Sequence, residues 1–291
     1  MKSGLTIIVP VYNEISAIEH SINHLKEIKK KCKNIDMEII IVNDGSTDGT
    51  EKILARMPNN KDIKVINHSE NQGYGAALKT GIRASKHQYV AITDADGTYP
   101  DERIPEFFEI VINEGLDMLV GARIGESVHI PFIRKLPKWV INKMANYMVG
   151  TKIPDLNSGM RIMKKDVVKK YFKILPDGFS FTSTITLAML SNGCHVKYIP
   201  INYNHRKGKS KIRPFYDTLN FFRLIIRTVM FFDPLKIFLP ISLPLFGGGI
   251  ILTLLQAILY QNIHTISVLL TLSGLNILTV GMIAEMIANK D

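Results

Sequence analysis

The first 120 residues alternate between short apolar runs and longer stretches with helical periodicity. The apolar runs are rich in Ile and Val and predict five strands, over residues 5–11, 37–43, 63–67, 88–93 and 116–120. Apolar residues three and four positions apart predict helices between the strands, over residues 14–31, 48–57, 74–85 and 101–113. This alternation favours an α/β fold with a mainly parallel sheet and helices on both faces. We expect one domain from residue 1 to about Arg213.

The last part of the chain contains two long apolar segments. Residues 237–260 and 265–288 carry no charged side chain except Glu285, near the end of the second segment. About 20 residues of helix cross a hydrocarbon core, so each segment is long enough to be a transmembrane helix. A buried helical hairpin of a soluble protein is the alternative interpretation.

The residues that flank these segments predict how they are oriented. Lys236 and Lys290 lie at the outer ends, whereas the connection at 261–264 has neither Lys nor Arg. The positive-inside rule therefore places both ends of the hairpin, and the preceding domain, in the cytoplasm. Just before the hairpin, Pro214–Phe232 has an apolar stripe beside Arg223 and Arg227. This pattern predicts a helix in the bilayer interface, and a helix packed on the domain is equally compatible with it.

The charge distribution agrees with a cytoplasmic domain on a membrane anchor. The chain has 36 Lys and Arg against 26 Asp and Glu, a formal charge of +10, and beyond Asp233 only two residues of each sign. Basic protein next to membrane spans favours anionic lipid head groups or phosphate substrates over nucleic acid. Two isolated cysteines fit a reducing compartment and have no metal-site spacing. The predicted organisation is a domain at 1–213, a juxtamembrane helix at 214–233 and a two-helix hairpin at 234–291.

Two carboxylates directly follow the fourth apolar run. Asp94 and Asp96 are separated by Ala95 and followed by Gly97. Ligands of open α/β sheets bind at the carboxyl ends of strands, and paired carboxylates there suit a divalent cation that carries a diphosphate. The alternative is an ordinary turn, because Asp, Ala, Asp and Gly also favour one.

Polar residues follow the other predicted strands as well, so their loops can face the same crevice. In the loop after the second strand we expect Asp44 to be functional, and Ser46 and Asp48 to be structural, since either can cap the next helix. Gly73-Tyr74-Gly75 lacks the third glycine of a nicotinamide-binding pattern, which makes a dinucleotide site a poor interpretation.

These motifs, taken in order, resemble the signature of family 2 glycosyltransferases, whose nucleotide-diphosphate-sugar-binding α/β fold is called GT-A. The residues that carry the resemblance are Val9-Pro10-Val11-Tyr12-Asn13-Glu14, Val42-Asn43-Asp44-Gly45-Ser46-Thr47-Asp48, Asn71-Gln72-Gly73 and Asp94-Ala95-Asp96-Gly97. Three later motifs are similar to the polyprenyl-phosphate branch, which includes dolichyl-phosphate mannose synthases and bacterial polyprenyl-phosphate glucosyltransferases. They are Gly121-Ala122-Arg123, Asp155-Leu156-Asn157-Ser158-Gly159-Met160-Arg161 and His205-Arg206-Lys207-Gly208-Lys209-Ser210-Lys211. The resemblance covers nearly the whole chain, including a terminal pair of spans.

The resemblance implies a donor site and a cation. The residues expected to cradle the nucleotide are Pro10, Tyr12, Glu14, Val42, Asp44 and Gly73, with Asp94 and Ala95 also against it. Asp96 would bind Mg²⁺ or Mn²⁺, with Asp94 and Thr98 as further ligand candidates. Thr98 stands where mannose synthases often have a glutamine, so water is the alternative third ligand. Arg206, Ser210 and Lys211 would close over the diphosphate.

An acceptor site follows from the chemistry of transfer. Arg123, with Arg134 or Lys138, can seat a lipid phosphate in line behind the anomeric carbon, and Ser158 belongs to the same expected set. A phosphate oxygen is already anionic near neutral pH, so no general base is needed and the product has inverted anomeric configuration. A hydroxyl acceptor would need a base, for which Asp155 is the candidate.

We therefore predict a metal-dependent, inverting glycosyltransferase that moves a sugar from a GDP- or UDP-linked donor to a polyprenyl phosphate, dolichyl or undecaprenyl, at the cytoplasmic membrane face. The basic amphipathic segment at 131–150 is expected to guide the phosphate in, unless it simply covers the sheet. The alternatives are transfer to a lipid hydroxyl, and an inactive membrane-anchored protein that binds nucleotide sugar. The bacterial relatives suggest self-association, and no nucleic-acid partner is expected.

Overall fold

The computed structural model describes residues 4–57, 63–124, 143, 145–147, 149–178, 180–203 and 214–288, with side chains between 214 and 232 described from Phe222 onward except at residue 224. The strands are β1 (Gly4–Val11), β2 (Asp36–Asn43), β3 (Ile63–Asn67), β4 (Tyr89–Ile92), β5 (Met118–Ala122), β6 (Arg161–Lys164) and β7 (Val196–Pro200). The helices are α1 (Ile18–Lys31), α2 (Thr50–Ala55), α3 (Tyr74–Ala84), α4 (Ile104–Asn113), α5 (Lys165–Lys170), α6 (Phe181–Ser191), α7 (Pro214–Phe232), α8 (Leu235–Tyr260) and α9 (Thr265–Ala288). A short 3₁₀ turn at Asp101–Arg103 precedes α4.

The strands form one seven-stranded sheet in the order β3-β2-β1-β4-β6-β5-β7. Neighbouring strands are parallel except at β6, which lies antiparallel between β4 and β5. The prediction of a mainly parallel sheet is confirmed. The sequence did not predict β6 or β7, and β6 matters most, because its reversed direction starts the strand at the edge where β4 ends.

Both faces of the sheet are covered, which explains why the strands read as nearly continuous apolar runs. On one face the strand residues that point that way pack against Ile22 of α1 and Phe107 of α4. On the other face Ile8 and its neighbours pack against Leu78 of α3 and Phe181 of α6. Because helices cover both faces of the sheet, only the strand ends and their loops remain open to ligands.

The two C-terminal helices, α8 and α9, are long and apolar enough to span a membrane. Only 11% and 17% of the residues in their most apolar stretches are buried inside the protein. A helical hairpin inside a soluble core would be mostly buried, so that alternative is wrong. The hairpin closes through glycines, since Gly249 faces Thr271, Gly274 faces Phe246 and Gly281 faces Phe238. Small residues at such contacts let two helix backbones approach closely.

Helix α7 presents two different faces. Ile225 and Val229 are buried against a cluster that includes Leu187 of α6, which confirms that this helix packs on the domain. The opposite side carries Arg223, Arg227 and Phe231, all exposed, and Phe222 is exposed as well. The predicted contact of this side with the bilayer interface stays a prediction.

Candidate active site

The topology gathers polar residues at one edge of the sheet. β1, β2, β3 and β4 are parallel, so the loops that follow them open on the same side. β6 runs the other way, and its first residue, Arg161, pairs with Ile92 at the end of β4. The segment 155–160 therefore lies beside the acidic loop (residues 94–101), although the two are far apart in the sequence.

Asp96 is held by a local turn. Its Oδ1 accepts hydrogen bonds from the backbone N–H of Thr98 at 3.1 Å and from the Thr98 hydroxyl at 2.6 Å. Gly97 supplies the positive φ of 67° that the turn requires. The turn expected from Asp-Ala-Asp-Gly is thus present, and it orients the carboxylate. Thr98 is only 2% exposed, and its hydroxyl serves Asp96 in this arrangement.

Asp94 is enclosed by the neighbouring segments. The Tyr74 hydroxyl donates to Asp94 Oδ1 at 3.2 Å. A Cβ atom added at Gly159 would lie 3.1 Å from Asp94 Oδ2 and 3.2 Å from the ring of Tyr99. The Gly159 N–H in turn donates to the Tyr99 hydroxyl at 2.7 Å. Burial and the negative charge of Asp94 raise the pKa of both tyrosines above its ordinary value, so they remain neutral hydrogen-bonding groups.

A third carboxyl group, Asp101, lies in the acidic loop. It is 2% exposed and accepts a hydrogen bond from Thr93 at 2.5 Å. Burial raises the pKa of Asp101 to about 7, and the charges of Glu102, Asp94 and Asp96 act in the same direction. The sequence pattern predicted this residue only as the start of a helix. A third carboxylate so close to Asp94 and Asp96 in the sequence was a signal that could have indicated its place in the acidic loop.

The acidic loop fits a divalent cation that brings its own ligands. Among the described residues no group of three or more His, Cys, Asp or Glu side chains is arranged to hold a metal ion. Mg²⁺ bound with a nucleotide uses one or two protein carboxylates, and phosphate oxygens and water complete its shell. Asp94 and Asp96 match that requirement as hard oxygen donors at the mouth of the sheet. Their roles as metal ligands stay predictions.

Arg123 and Asp155 form a bidentate ion pair. Arg123 donates from Nε at 2.8 Å, from Nη2 at 3.0 Å and from its backbone N–H at 3.0 Å, and Asn157 N–H adds a fourth bond at 3.1 Å. Burial alone would raise the pKa of Asp155, but these hydrogen bonds outweigh it and lower the pKa. A carboxylate held in this way is a weak general base. The Arg123 guanidinium also lies 5.3 Å from the centre of the Tyr203 ring.

An aromatic pair links this ion pair to the acidic loop. The rings of Tyr99 and Tyr203 meet edge to face, with centroids 5.2 Å apart. Tyr99 contacts the Gly159 segment on one side, and Tyr203 lies under Arg123 on the other. The predicted metal carboxylates and the predicted acceptor cation are therefore brought to the two sides of one tyrosine pair.

The loops after β1 and β2 are tied together. Asn13, with a φ of 57°, receives a hydrogen bond from Thr47 N–H at 2.8 Å and donates from its own N–H to Ser46 at 3.0 Å. Asp48 accepts from the backbone of Ile15 at 3.1 Å and of Thr50 at 3.0 Å. These contacts confirm that Ser46 and Asp48 are structural, but neither is the N-cap of α2, which is Gly49 without a side-chain cap. They also fix the segment that carries Tyr12 and Glu14, which are exposed and half-buried.

Asp44 has a structural task that the sequence did not predict. Its carboxylate is 3% exposed and accepts from Gln72 N–H at 3.0 Å and from Gly73 N–H at 2.8 Å. His68 Nδ1 lies 2.7 Å from the same carboxylate. Gly73 has a φ of 105° and its Cα faces the Asp177 carbonyl, so a side chain there would clash. Both residues hold the start of α3, and their predicted nucleotide contacts stay predictions.

Several predicted site residues have side chains inside the fold. Val42 is 0% exposed and packs with Ile40 and Ala77, so its side chain cannot cradle a base. Pro10 and Ala95 are buried, and the Ala95 carbonyl accepts from Ser21. Ser158 is 0% exposed, and its hydroxyl donates to the Gly121 carbonyl at 2.5 Å. The Ser158 hydroxyl is therefore committed to the backbone in this arrangement, and its predicted contact with the acceptor phosphate stays a prediction.

The remaining predicted residues, which are Arg134, Lys138, Arg206, Ser210 and Lys211, lie outside the described residues.

The structure also shows a feature of Arg161 that the sequence did not predict, since the sequence pattern gave this residue only as the end of a motif. It is fully buried beneath the segment that faces Asp94. Nothing in the sequence around it distinguishes a buried arginine from an exposed one.

Comparison with known proteins adds two family matches. The family model described as glycosyl transferase family 2 matches residues 6–172, and the one described as GtrB C-terminal hairpin matches residues 233–289. The first match covers more than half of the chain. The second covers α8 and α9 together with the residues that flank them.

The chain is also similar to individual proteins. It is 30% identical over 212 residues to dolichyl-phosphate hexose transferase of Haloferax volcanii, which covers 72% of this chain and 87% of that protein. It is 26% identical over 304 aligned positions to dodecaprenyl-phosphate galacturonate synthase of Rhizobium johnstonii, at 98% and 87% coverage. Glucosyl-3-phosphoglycerate synthase of Mycobacterium tuberculosis, solved with Mn²⁺, UDP and glucosyl-3-phosphoglycerate, superimposes with a TM-score of 0.55 at 19% identity, over 78% of this chain and 79% of that one. This last likeness shows the fold.

Proposed function

The chain belongs to glycosyl transferase family 2, and from that premise we propose that it transfers a sugar from a nucleoside-diphosphate sugar to a polyprenyl phosphate. Two relatives are named for dolichyl-phosphate and dodecaprenyl-phosphate chemistry, and one of them aligns over 98% of this chain. The solved structure with the same fold contains UDP and Mn²⁺. These names support a diphosphate donor, a divalent cation and a lipid-phosphate acceptor. The observation that carries the proposal is that Asp94 and Arg123 lie on the two sides of one tyrosine pair at the ligand edge of the sheet, with Asp96 two residues from Asp94 in the same loop.

The donor diphosphate is proposed to bind against the acidic loop. A bound Mg²⁺ or Mn²⁺ supplies positive charge that neutralises the departing diphosphate. The chain's part is to present two carboxylates in a fixed geometry, Asp96 through its turn with Thr98 and Asp94 through Tyr74 and Gly159. Fixed groups of this kind lower the barrier because they need no rearrangement during the reaction. Arg206, Ser210 and Lys211 remain the proposed diphosphate contacts from beyond the described residues.

The acceptor phosphate is proposed to bind at Arg123. A guanidinium offers planar, paired donors that match phosphate geometry. Asp155 and Tyr203 fix its orientation and leave the Arg123 side chain 27% exposed at the site. Next to it in the chain, Ile124 lines a cavity of about 310 Å³ that opens at the same edge. The other lining residues are Pro100, Glu102, Arg103, Pro200, Ile201 and Asn202.

The ion pair favours a phosphate over a hydroxyl acceptor. An acceptor hydroxyl needs a base that takes its proton, and Asp155 was the candidate for that role. In the structure Asp155 is saturated by four N–H donors and its pKa is lowered, so it has little affinity for a proton. A lipid phosphate attacks as an anion without a base. Direct attack from the opposite side of the anomeric carbon gives a product with inverted configuration.

The membrane is proposed to carry the acceptor to this site. The three parts of the proposed organisation are the catalytic domain at 1–213, the juxtamembrane helix at 214–233 and the hairpin at 234–291. The exposed phenylalanines and arginines of α7 suit a contact with anionic head groups, and α8 continues directly from it. By the positive-inside rule, the distribution of Lys supports a cytoplasmic catalytic domain.

The decisive experiment is a transfer assay with the full-length protein in nanodiscs. It supplies polyprenyl phosphate, a panel of labelled UDP- and GDP-sugars, and either Mg²⁺, Mn²⁺ or excess chelator. We expect organic-soluble label only with a divalent cation, released by mild acid as a phosphodiester-linked sugar should be. NMR of the intact lipid-phosphate sugar, before acid release, gives the anomeric configuration.

Two variants sharpen this assay. Asp96→Asn should abolish transfer, whereas Asp166→Asn, an exposed change on α5 away from the ligand edge, should leave it intact. Full turnover in chelator would refute the metal role. Label that is stable to acid and found on a hydroxyl lipid would refute the acceptor.

A further inference from the structure

Arg161 is a buried cation whose hydrogen bonds go to neutral atoms. Its side chain is 0% exposed at the start of β6. Nε donates to the Ser158 carbonyl at 3.1 Å, and Nη2 donates to the same oxygen. Nη1 donates to the Thr182 carbonyl and to the Thr186 hydroxyl, each at 3.0 Å. Within the described part of the chain, no carboxylate lies within ion-pair distance of it.

Such an arrangement is unfavourable for stability alone. Removing a guanidinium from water is costly, and burial lowers the pKa of Arg161 below its ordinary value. An apolar side chain of similar volume would fill the same space between β6 and α6 without that penalty. The presence of a buried charge with neutral partners therefore indicates that Arg161 serves this position through the hydrogen bonds that it donates.

These hydrogen bonds fasten the segment that backs Asp94. Two donors converge on the Ser158 carbonyl, directly before Gly159. The Ser158 hydroxyl is bound to β5, so this residue is held from two directions. Gly159 then lies so close to the Asp94 carboxylate and the Tyr99 ring that an added Cβ would meet them at 3.1 and 3.2 Å. Arg161 also anchors the segment to α6 through Thr182 and Thr186.

We infer that Arg161 is a positioning residue for Asp94. It fixes the turn at 158–159 as a rigid wall, and that wall sets the orientation in which Asp94 meets a divalent cation and its diphosphate. The inference rests on the proposed function for the identity of the ligand. It goes beyond it by assigning a role in cation binding to a side chain that never touches the ligand.

The test measures cation and nucleotide binding, so that it does not depend on turnover. Mn²⁺ and UDP, or Mn²⁺ and GDP, are titrated into the full-length protein in nanodiscs, with calorimetry for affinity and the electron paramagnetic resonance spectrum of bound Mn²⁺ for its surroundings. We expect Arg161→Met to weaken Mn²⁺-dependent nucleotide binding by about tenfold or more and to broaden the Mn²⁺ spectrum. Arg161→Lys, which can still donate to the Ser158 carbonyl, should recover part of the affinity.

A matched control separates positioning from general destabilisation. Val168 is fully buried on α5, in the core cluster that also contains Phe181 of α6. Val168→Ala should lower the unfolding temperature without changing Mn²⁺ affinity or the spectrum. If Arg161→Met fails to fold, Gly159→Ala decides the question. Its new methyl group would press on the Asp94 carboxylate while Arg161 stays in place, and it should give the same loss of Mn²⁺ binding.

The outcomes distinguish this inference from the proposed function. Wild-type protein that binds neither nucleotide with Mn²⁺ contradicts the proposed function and, with it, this inference. Wild-type binding that is matched within twofold by Arg161→Met, or by Gly159→Ala where the methionine variant does not fold, overturns the positioning role alone.

Discussion

Replacing Asp155 with asparagine tests the claim that this carboxylate holds Arg123 and does not act as a base. The substitution removes the charge and turns one accepting oxygen into an NH₂ group that faces N–H donors. Three Arg123 donors within 3.0 Å and the Asn157 N–H depend on that carboxylate. Breaking a buried ion pair costs about 3–5 kcal/mol. Because Arg123 is 27% exposed and can partly rehydrate, we expect a loss of about 2–3 kcal/mol. That loss corresponds to a fall in unfolding temperature of roughly 4–12 °C.

The kinetic consequence separates the two roles. If Asp155 positions a phosphate seat, Asp155→Asn should raise the KM for polyprenyl phosphate by about tenfold, equivalent to about 1.4 kcal/mol, with kcat and the donor KM little changed. If Asp155 were the general base, kcat should fall by about 10²–10⁴-fold at unchanged acceptor KM. Steady-state transfer at varied lipid phosphate therefore decides between them, and a kcat loss of the second kind would refute the reasoning.

A similar ion pair elsewhere provides the control. Asp117 and Lys164 are 2.9 Å apart with side chains 22% and 27% exposed, against 12% and 27% for Asp155 and Arg123. Asp117→Asn also removes a bond from the His195 backbone. It should lower the unfolding temperature to a comparable extent without changing the KM for the acceptor. An equal change in acceptor KM for both variants would mean that instability alone explains the effect of Asp155→Asn.

Three further expectations follow from the same geometry. Burial raises the pKa of Asp101 to about 7, so its contribution to stability is present below about pH 4 and is lost as the pH rises through 7. In chelator, Asp101→Asn should therefore unfold at a higher temperature than wild type at pH 8 but not at pH 4. The gain in free energy of unfolding at pH 8 has an upper limit of roughly 4 kcal/mol, and no difference at pH 8 would contradict the expectation. Thr98→Val removes the hydroxyl that orients Asp96 and should weaken Mn²⁺-dependent UDP or GDP binding by about tenfold, a hydrogen bond to a charged group contributing about 1.5–3 kcal/mol; unchanged calorimetric affinity would rule out that orienting role. Gly274→Leu should separate α8 from α9, which is measured as the loss of a chemical cross-link between the two helices. Gly247→Leu, at a position where the structure has open space, should preserve the cross-link.

The sequence predicted the elements whose signal is local. Strands β1, β2, β4 and β5 are mostly apolar on both faces because helices cover both, so they appear as apolar runs bounded by polar loops. The hairpin was predicted from a local signal as well, since each segment is apolar over the length that crosses a hydrocarbon core, and α9 begins and ends where the pattern does. The position of Asp94 and Asp96 at a strand end needed only these local signals.

What the sequence did not predict depends on contacts between distant segments. β6 is four residues long and begins with a buried arginine, so its pattern resembles neither a core strand nor a surface strand. Its insertion between β4 and β5 is decided by pairing partners that are far away in the chain. Without β6, the sequence had no means of placing Gly159 against Asp94, or of seeing that Ser158 turns inward to Gly121.

The site also shows why motif residues divide into two groups. Asp44, Ser46 and Asp48 belong to one string of polar residues, yet each accepts hydrogen bonds from backbone N–H groups of another loop. Loops at a sheet edge carry many backbone groups that the sheet cannot satisfy, and buried polar groups must find partners. Short Asp and Ser side chains supply these partners locally. A polar motif at the end of a strand therefore indicates first that the loop is fixed. Its chemistry resides in those members that a fixed loop presents to a ligand, which we propose here to be Asp94, Asp96 and Arg123.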